Sequence, residues 1–426
     1  MSGRRGGHGI RKVPAAEASP AEIATVKWTR KDWGRVPVIS WCEQPDPKAA
    51  EQAANLARHP AVERHVALMP DCHVGFGMPI GAVIFCPRDI LPNAVGVDIG
   101  CGMRAVRTSI PVERMTSPLV RAILDDLKRA VPIGEGRSHR GPQKWEGFEE
   151  YDAAPPWKTR DAWDLALRSL GTLGGGNHFL ELQAGEDGRV WFMIHSGSRN
   201  LGLRIAHHYQ EVARRLCERR RVGLPDRDLA HLPVDSEEGR QYLRDMEFAL
   251  RFARENRRRM SERFREAVAR HVPEADFEPD LDVHHNYAVL ERHFGEAGWV
   301  HRKGATAAAA GALGIVPGSM GSPSYIVRGL GHPDSFSSSA HGAGRRMGRM
   351  EACRSLSREE CDAAMRGIVF DGWRRLPGAG RRRDRPGEYD LEEAPQAYKP
   401  IEGVMEAQRD LVEPVVRLRP LGVVKG

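Results

Sequence analysis

Short segments that carry potential metal ligands recur along this 426-residue chain, most of them rich in glycine. Asp98 and Cys101 lie in GVDIGCGM, His178 in GGGNHFLEL, His195 in HSGSRNLG and His285 in HHNYA. Glycine permits tight turns and a close approach of the backbone to a ligand, so these segments are expected to be loops. Mixed carboxylate, thiolate and imidazole groups indicate a catalytic transition-metal centre that receives a phosphate-bearing substrate.

Each segment also has a simpler interpretation when it is considered alone. Asp98 and Cys101 are compatible with a capping carboxylate beside a buried free cysteine, and a histidine in a turn is often only structural. His284 and His285 are adjacent, and the residues alone do not decide which of the two faces a site. Five candidates spread over four segments nevertheless favour a shared metal centre.

A further histidine, His341, lies in SSSAHGAGRRMGR. This segment offers hydroxyl, amide and guanidinium donors, and no acidic residue is next to the histidine. Such donors stabilise charge on phosphate oxygens, which favours His341 as a nucleophile that attacks a phosphate. The alternative is a histidine that only binds metal or phosphate. The segment PGSMGSPSY is similar to a phosphate-binding loop, although it matches neither a P-loop nor a dinucleotide fingerprint.

Composition limits the possible cellular compartments and binding partners of the protein. The chain is 41% hydrophobic, and no apolar run approaches the ~20 residues that cross a bilayer, so we expect no membrane association. Residues 1–25 begin with basic side chains and lack the apolar core of a signal peptide, which predicts a flexible arm and a cytoplasmic protein. The seven cysteines form no CxxC pair, which argues against disulfides. The net charge of +7 favours a polyanionic partner.

The order of apolar and polar residues predicts alternating strands and helices. Between Val66 and Thr108, short apolar runs alternate with glycine turns, which indicates strands joined by tight loops. Helical spacing predicts helices over 113–131 and 161–170, and the stretch EGRSHRGPQKWEGFEEYDAAPPWK between them is expected to be a surface loop. The run VWFMIHSGSRN predicts a strand that ends near His195 and is followed by a helix.

A long helix is predicted after Asp235, whose spacing to Glu238 fits a capping box. Its core-facing stripe comprises Leu243, Met246, Leu250, Ala253, Met260, Phe264 and Val268. Its opposite face is arginine-rich and comprises Arg251, Arg254, Arg257, Arg258 and Arg259. Further on we predict a helix around 357–373, then a C-terminal helical stretch and a short terminal strand. The chain shows no repeat and no linker, which favours one domain over 26–426.

Taken in order, the motifs resemble those of RtcB-type RNA-splicing ligases, from about residue 35 to the C-terminus. They are MPDCHVGFGMPIGAV, GVDIGCGMRAV, LGTLGGGNHFLEL, IHSGSRNLG, HHNYA, RKGA, PGSMG, SSAHGAGR and VKG. The resemblance implies a GTP- and manganese-dependent ligase that joins RNA 3′-phosphate or 2′,3′-cyclic phosphate ends to 5′-hydroxyl ends. It also implies an α+β fold, in which a single large mixed domain has a β-sandwich-like core flanked by helices around a polar metal cleft.

The resemblance further implies a role for each candidate ligand. Cys101 would bridge two manganese ions, with Asp98 and His178 on one ion and His195 and His285 on the other. The two implied metal sites therefore use every candidate ligand named above.

For the remaining site residues, the resemblance makes His341 the guanylated nucleophile. Arg199 and Arg345 would lie near the RNA phosphates. The residues implied to contact the guanine nucleotide are Asn177, Phe179, Glu181, Asn286, Gly318, Ser319, Met320, Ser324, Tyr398 and Lys425. An archease-like activator is a candidate partner.

Two basic stretches are unlike the family pattern, near residues 218–228 and 374–390, and their charge suggests that they tune the choice of RNA. A dinuclear metal-dependent phosphoesterase that acts on nucleic-acid ends is the alternative function. It would use the same ligands but would need neither a nucleotide loop nor a nucleophilic histidine. A non-catalytic RNA-binding protein would explain the charge but not the metal ligands.

Overall fold

The computed structural model describes residues 26–376 and 388–426 of the chain. Helices and strands both form large parts of it, which confirms the predicted α+β class. The predicted flexible arm, residues 1–25, lies outside the described residues, as do Arg381, Arg382 and Arg383 of the second basic stretch. Within the described residues, each helix is too short or too polar to span a lipid bilayer.

The elements alternate along the chain much as the sequence predicts. The helices are α1 (Pro47–Arg58), α2 (Pro92–Val95), α3 (Ser117–Ala130), α4 (Glu146–Glu150), α5 (Arg160–Ser169), α6 (Asn200–Arg219), α7 (Glu237–His271), α8 (Arg349–Ser355), α9 (Arg358–Ala364) and α10 (Ile401–Ala407). The strands are β1 (Trp28–Arg30), β2 (Val38–Ser40), β3 (Glu63–His73), β4 (Ile80–Cys86), β5 (Asp89–Ile90), β6 (Gly102–Pro111), β7 (Phe179–Gly185), β8 (Arg189–Ser196), β9 (Leu232–Pro233), β10 (Leu281–His284), β11 (Asn286–His293), β12 (Glu296–Lys303), β13 (Ala305–Ala307), β14 (Leu313–Val316), β15 (Ser324–Gly329), β16 (Ser338–Ala340) and β17 (Val412–Lys425).

Two large sheets organise these strands. The first has the order β1-β2-β3-β4-β12-β11, in which only β2 and β3 are parallel neighbours. The second has the order β10-β6-β8-β7-β17-β15-β14 and is antiparallel throughout. The chain passes from the second sheet to the first at His285, which separates β10 from β11. This passage places one candidate ligand where the two sheets meet.

The sheets and helices share buried apolar clusters. Val83 and Phe85 of the first sheet belong to the same cluster as Val316 and Val327 of the second, so the sheets pack on each other. A separate cluster packs α3 and α7 against the second sheet, with Phe192 and Phe264 stacked at 4.3 Å between ring centroids. Burial of this apolar surface is the main stabilising contribution.

Helix α7 confirms the predicted apolar stripe but corrects two details. Its N-cap is Ser236 rather than Asp235, because the Ser236 hydroxyl accepts the Gly239 N–H at 3.0 Å. Arg257, assigned by the sequence to the arginine-rich outer face, is fully buried. An arginine is buried only where its donors are satisfied, and Arg257 has such partners.

Three further predictions about local structure are wrong in part. The stretch after α3 contains α4, and its Tyr151 and Trp157 are buried because both donate to Asp245 at 2.7 Å, so it is not simply a surface loop. The helix expected around 357–373 ends at Ala364, and Gly367 follows with a φ of +84°. The terminal strand β17 is long, with 14 residues, because it pairs with β7 and β15 on either side.

Candidate metal and nucleotide site

A tight turn between α2 and β6 presents Asp98 and Cys101. The Cys101 N–H donates to the Asp98 carbonyl at 3.0 Å, and Gly100 between them has a φ of +78°. A Cβ on Gly100 would lie 2.9 Å from the Ala253 Cβ of α7, so only glycine fits here. The turn therefore directs the carboxylate and the thiol toward the same space.

The five candidate ligands form a continuous series of short distances. Asp98 Oδ2 lies 3.3 Å from His178 Nε2, which lies 3.6 Å from Cys101 Sγ. On the other side of the thiol, His195 Nε2 is 3.3 Å from Cys101 Sγ and 3.4 Å from His285 Nε2. Cys101 thus lies between a carboxylate–imidazole pair and an imidazole–imidazole pair.

Backbone carbonyls fix the orientation of two of these imidazoles. The His178 Nδ1–H donates to the Leu173 carbonyl at 2.9 Å, and the His195 Nδ1–H donates to the Asn177 carbonyl at 3.1 Å. Both Nε2 lone pairs therefore point into the cluster, as metal ligation requires. Burial also lowers the pKa of His195 well below its usual value, which keeps its imidazole neutral.

The electrostatics of the turn suit a cation. Burial, with the nearby Asp98 carboxylate, raises the pKa of the Cys101 thiol well above its usual value. Burial would also raise the pKa of Asp98, but its interactions with His178, Cys101 and Arg199 lower it overall. A divalent cation would favour the thiolate form of Cys101 and would be bound by these donor atoms. Oxygen, sulfur and nitrogen donors in one cluster fit a transition metal.

His341 lies next to this cluster and has an acidic partner that its own segment does not contain. Its ring centroid is 4.9 Å from that of His285. Its Nδ1 lies 2.6 Å from Oδ2 of the buried Asp71, and the same oxygen accepts the His341 N–H at 3.1 Å. The carboxylate holds the proton on Nδ1 and leaves the lone pair on Nε2.

A cavity of about 350 Å³ opens over the cluster and His341. Asp98, Cys101, His195, His285 and His341 all line it. Of the residues predicted to contact the nucleotide, those that line it are Asn177, Phe179, Asn286, Gly318, Ser319, Met320, Tyr398 and Lys425. The structure therefore brings most of that predicted set together around His341.

Glu181 and Ser324, also predicted to contact the nucleotide, are buried and do not line the cavity. Gln183 lies between them and donates to both, at 2.5 Å to Glu181 and 3.2 Å to Ser324. Ser324 Oγ also accepts the Gly318 N–H at 3.2 Å, so it supports the loop that lines the cavity. Burial raises the pKa of Glu181 to about 8.

One carboxylate, Glu393, gathers the polar groups at one end of the cavity. It pairs with Arg345 at 3.1 Å and with Lys425 at 3.3 Å, and it accepts the Tyr398 hydroxyl. Arg345 also donates to the Glu392 carbonyl at 2.7 Å, so its guanidinium is held by protein groups. Lys425 in turn lies 5.6 Å from the Phe179 ring centroid.

A second cavity, of about 430 Å³, lies on the other side of Asp98 and His178. Arg137 and Arg199 line it together with the first residue of α6. Arg199 Nε donates to Thr172 Oγ1 at 2.9 Å. A Cβ on Gly174 would lie 1.8 Å from Arg199 Nη1, and its φ of +94° also requires glycine, which explains part of the glycine-rich turn before His178.

Comparison with known proteins decides the family. A family model described as "tRNA-splicing ligase RtcB" matches residues 52–426. The chain belongs to the RtcB family. This confirms the resemblance inferred from the motifs and the assignment of the chain as an RNA ligase.

Relatives from distant organisms support membership of the RtcB family. RNA-splicing ligase RtcB of Escherichia coli (strain K12) is 39% identical over 398 residues, which cover 89% of this chain and 94% of the relative. RNA-splicing ligase RtcB of Mycobacterium tuberculosis is 34% identical over 447 residues, covering 88% of this chain and all of the relative. tRNA-splicing ligase RtcB of Thermococcus kodakarensis is 32% identical over 452 residues, covering 89% and 91%.

Residues that the sequence did not single out complete this RtcB-family site. Asp71 was within a quoted motif but had no assigned role, and its signal was its position just before the end of β3. Glu393, Arg137 and the buried Asn256 gave no local signal, and Arg257 was assigned to the outer face of α7, because the partners of the buried groups lie far away in the chain.

Proposed function

We propose that this chain joins RNA 3′-phosphate or 2′,3′-cyclic phosphate ends to 5′-hydroxyl ends, through a histidine–GMP intermediate formed from GTP with manganese. The observation that carries the proposal is the arrangement of His341. Its Nδ1 is paired with Asp71, and its ring lies beside the ligand cluster in a cavity large enough for a nucleotide.

The ligand series could hold two ions, and the Cys101 sulfur, as a thiolate, would be a donor available to both. Asp98 and His178 would hold one ion, and His195 and His285 would hold the other, since these pairs lie on opposite sides of the sulfur. When bound, manganese would neutralise the phosphate oxygens and hold them in line for displacement.

The residues of the chain then account for nucleotidyl transfer. His341 Nε2 attacks the α-phosphorus of GTP, the bond to the β-phosphate oxygen breaks, and pyrophosphate leaves. The Nδ1 proton stays on the imidazole, where the Asp71 carboxylate offsets the positive charge of the histidine adduct. Lys425 and Arg345, both near Glu393, supply positive charge to the same cavity.

Two displacements complete the ligation. An oxygen of the RNA 3′-phosphate attacks the phosphorus of the histidine adduct, the N–P bond breaks, and GMP passes to the RNA end. The 5′-hydroxyl of the second RNA then attacks the activated 3′-phosphate, loses its proton and releases GMP. A 2′,3′-cyclic end must first be opened by water to give the 3′-phosphate.

The second cavity is suited to the RNA end. It meets the first cavity at Val97 and Asp98, so an RNA phosphate there would reach the ligand cluster from the side opposite the nucleotide. Arg199 is partly committed to Thr172, whereas Arg137 is exposed, and within the described residues its side chain has no hydrogen-bond or ion-pair partner. A free guanidinium is well matched to a phosphodiester.

The outer face of α7 is a weaker candidate for RNA contact. Arg258 pairs with Glu255 and Glu262, and Arg259 pairs with Glu255, so these charges are already neutralised by neighbours. RNA binding through the basic stretches near 218–228 and 374–390, and activation by an archease-like partner, remain parts of the proposal that ligation assays with RNA ends can test.

The deciding experiment is incubation of the protein with α-labelled GTP and Mn²⁺, followed by denaturing electrophoresis. We expect label on the wild type and on His207→Ala, an exposed histidine on α6, and none on His341→Ala or on chelated samples. A folded, metal-loaded wild type without label would overturn the histidine–GMP intermediate. Hydrolysis of RNA ends by that same sample would then support the metal phosphoesterase instead.

A further inference from the structure

Two adjacent residues of α7, Asn256 and Arg257, lie behind the ligand cluster and are fully buried. Neither is a candidate ligand, and neither lines a cavity described above. Their side chains nevertheless contact the backbone next to several ligands. We propose that Asn256 and Arg257 are positioning residues that set the relative placement of the segments carrying Cys101, His178 and His195.

Arg257 joins the thiol segment to an imidazole segment. Its Nη1 donates to the Gly100 carbonyl and to the Ser196 carbonyl, both at 2.9 Å. Gly100 precedes Cys101, and Ser196 follows His195. One guanidinium nitrogen therefore fixes the separation of the two segments whose ligand atoms, Cys101 Sγ and His195 Nε2, lie 3.3 Å apart.

The guanidinium itself is held in a single orientation. Asp282 accepts Arg257 Nε at 2.9 Å and Nη2 at 2.7 Å, a bidentate pair that leaves Nη1 for the two carbonyls. A Cβ on Gly102 would lie 3.1 Å from the Arg257 Cζ, so glycine there makes room for the side chain. Lysine offers a point charge and could not form this planar set of bonds.

Asn256 acts on the third ligand through a relay of hydrogen bonds. Its Oδ1 accepts the Gly171 N–H at 2.7 Å and the Thr172 N–H at 3.0 Å. Its Nδ2 donates to Ser196 Oγ at 3.1 Å, and that hydroxyl donates to the Leu173 carbonyl at 2.7 Å. This carbonyl is the one that accepts the Nδ1–H of His178.

The two side chains therefore connect three ligand segments through one turn of helix. Groups that orient metal ligands commonly change metal affinity by about 10- to 100-fold when they are removed. The inference rests on the metal centre of the proposed function, and it adds the residues that hold the centre in shape before the ions arrive.

The test compares Arg257→Lys with Arg104→Lys by isothermal titration of the full chain with Mn²⁺. Arg104 is a matched control because it is buried and pairs with Asp280 at 2.7 Å and with the same Asp282 at 2.8 Å. Its hydrogen bonds go to these two carboxylates. We expect Arg257→Lys to weaken Mn²⁺ binding by about tenfold or more, and Arg104→Lys by less than about threefold.

Thermal unfolding in chelator separates positioning from a general loss of stability, because both variants disturb Asp282 and should unfold at similarly lowered temperatures. Equal Mn²⁺ affinity in the two variants would overturn the inference. Absence of Mn²⁺ binding by the wild type would instead overturn the metal centre on which the inference rests, so the two failures are distinguishable.

A second variant covers the case in which Arg257→Lys does not fold. Asn256→Asp keeps the acceptor for the Gly171 and Thr172 amides but loses the donor to Ser196. We expect its Mn²⁺ affinity to fall by about tenfold. Wild-type affinity in folded Asn256→Asp would remove the relay from the inference.

Discussion

The pairing of Asp71 with His341 yields the sharpest prediction about chemistry. Asp71→Asn preserves the shape of the side chain and removes its charge. In the wild type one oxygen, Oδ2, serves both the backbone N–H and Nδ1 of His341, while Oδ1 is a buried oxygen without a hydrogen-bond partner in the described residues. The amide oxygen of asparagine can replace Oδ2, but it cannot offset the positive imidazole that forms during nucleotidyl transfer.

The size of the effect follows from the type of hydrogen bond. A hydrogen bond to a charged group contributes about 1.5–3 kcal/mol. At about 1.4 kcal/mol for each factor of ten, its loss in the transition state slows guanylation of His341 by roughly 10- to 150-fold. An asparagine that rotates its NH₂ toward Nδ1 would place the proton on Nε2 and slow the step further.

The assay is the rate of His341 labelling by α-labelled GTP at saturating GTP and Mn²⁺, with Mn²⁺ affinity measured in parallel. We expect unchanged metal binding, and no large loss of stability, because the substitution removes a buried charge with one unpaired oxygen. A labelling rate within about threefold of the wild type would refute the argument that the Asp71 carboxylate stabilises the histidine adduct.

Three further predictions address the metal, the nucleotide pocket and the RNA end. Cys101→Ser should lose bound Mn²⁺ after dialysis, measured by elemental analysis, whereas the buried Cys361→Ser should keep it; retention by both would exclude a bridging thiolate. Because burial raises the pKa of Glu181 to about 8, above about 4.3 when unfolded, its contribution to stability is lost as pH rises from about 4 to 8. Glu181→Gln should flatten the plot of the free energy of unfolding in urea against pH over this range, and an unchanged slope of that plot would contradict the prediction. Arg137→Ala should weaken RNA binding and lower its salt dependence by about one ion, without slowing guanylation. Arg140 lies outside the cavity, so Arg140→Ala should leave RNA binding unchanged. Equal effects of the two substitutions on RNA binding would argue against an RNA subsite.

Local motifs predicted the ligands of the candidate site better than they predicted the residues that hold those ligands in place. The ligands Asp98, Cys101, His178, His195 and His285 were readable because each lies in a short segment of distinctive composition. The structure places them in one series of contacts, although their roles remain predictions. Contacts between distant parts of the chain could not be read in this way, since nothing in a local segment records its partner.

Arg257 illustrates the limit in physical terms. Helical spacing placed it among exposed arginines, but it is buried because Asp282 and two backbone carbonyls satisfy its donors. The partner of His341 was missed for the same reason, since Asp71 lies 270 residues earlier. The burial of the stretch after α3 also depended on a tertiary contact, with Asp245, rather than on composition.

The passage of the chain between the two sheets at His285 links ion binding to the cohesion of the whole protein. An ion held by His195 and His285 would connect the end of β8 in the second sheet to the start of β11 in the first. Because such linkage is reciprocal, loosening the interior between the sheets, for example at Val316 or Val327, would release the ion more readily. Chelation should likewise speed the exchange of backbone amide hydrogens along both sheets. The supply of metal would therefore govern the thermal stability of the protein as well as its activity.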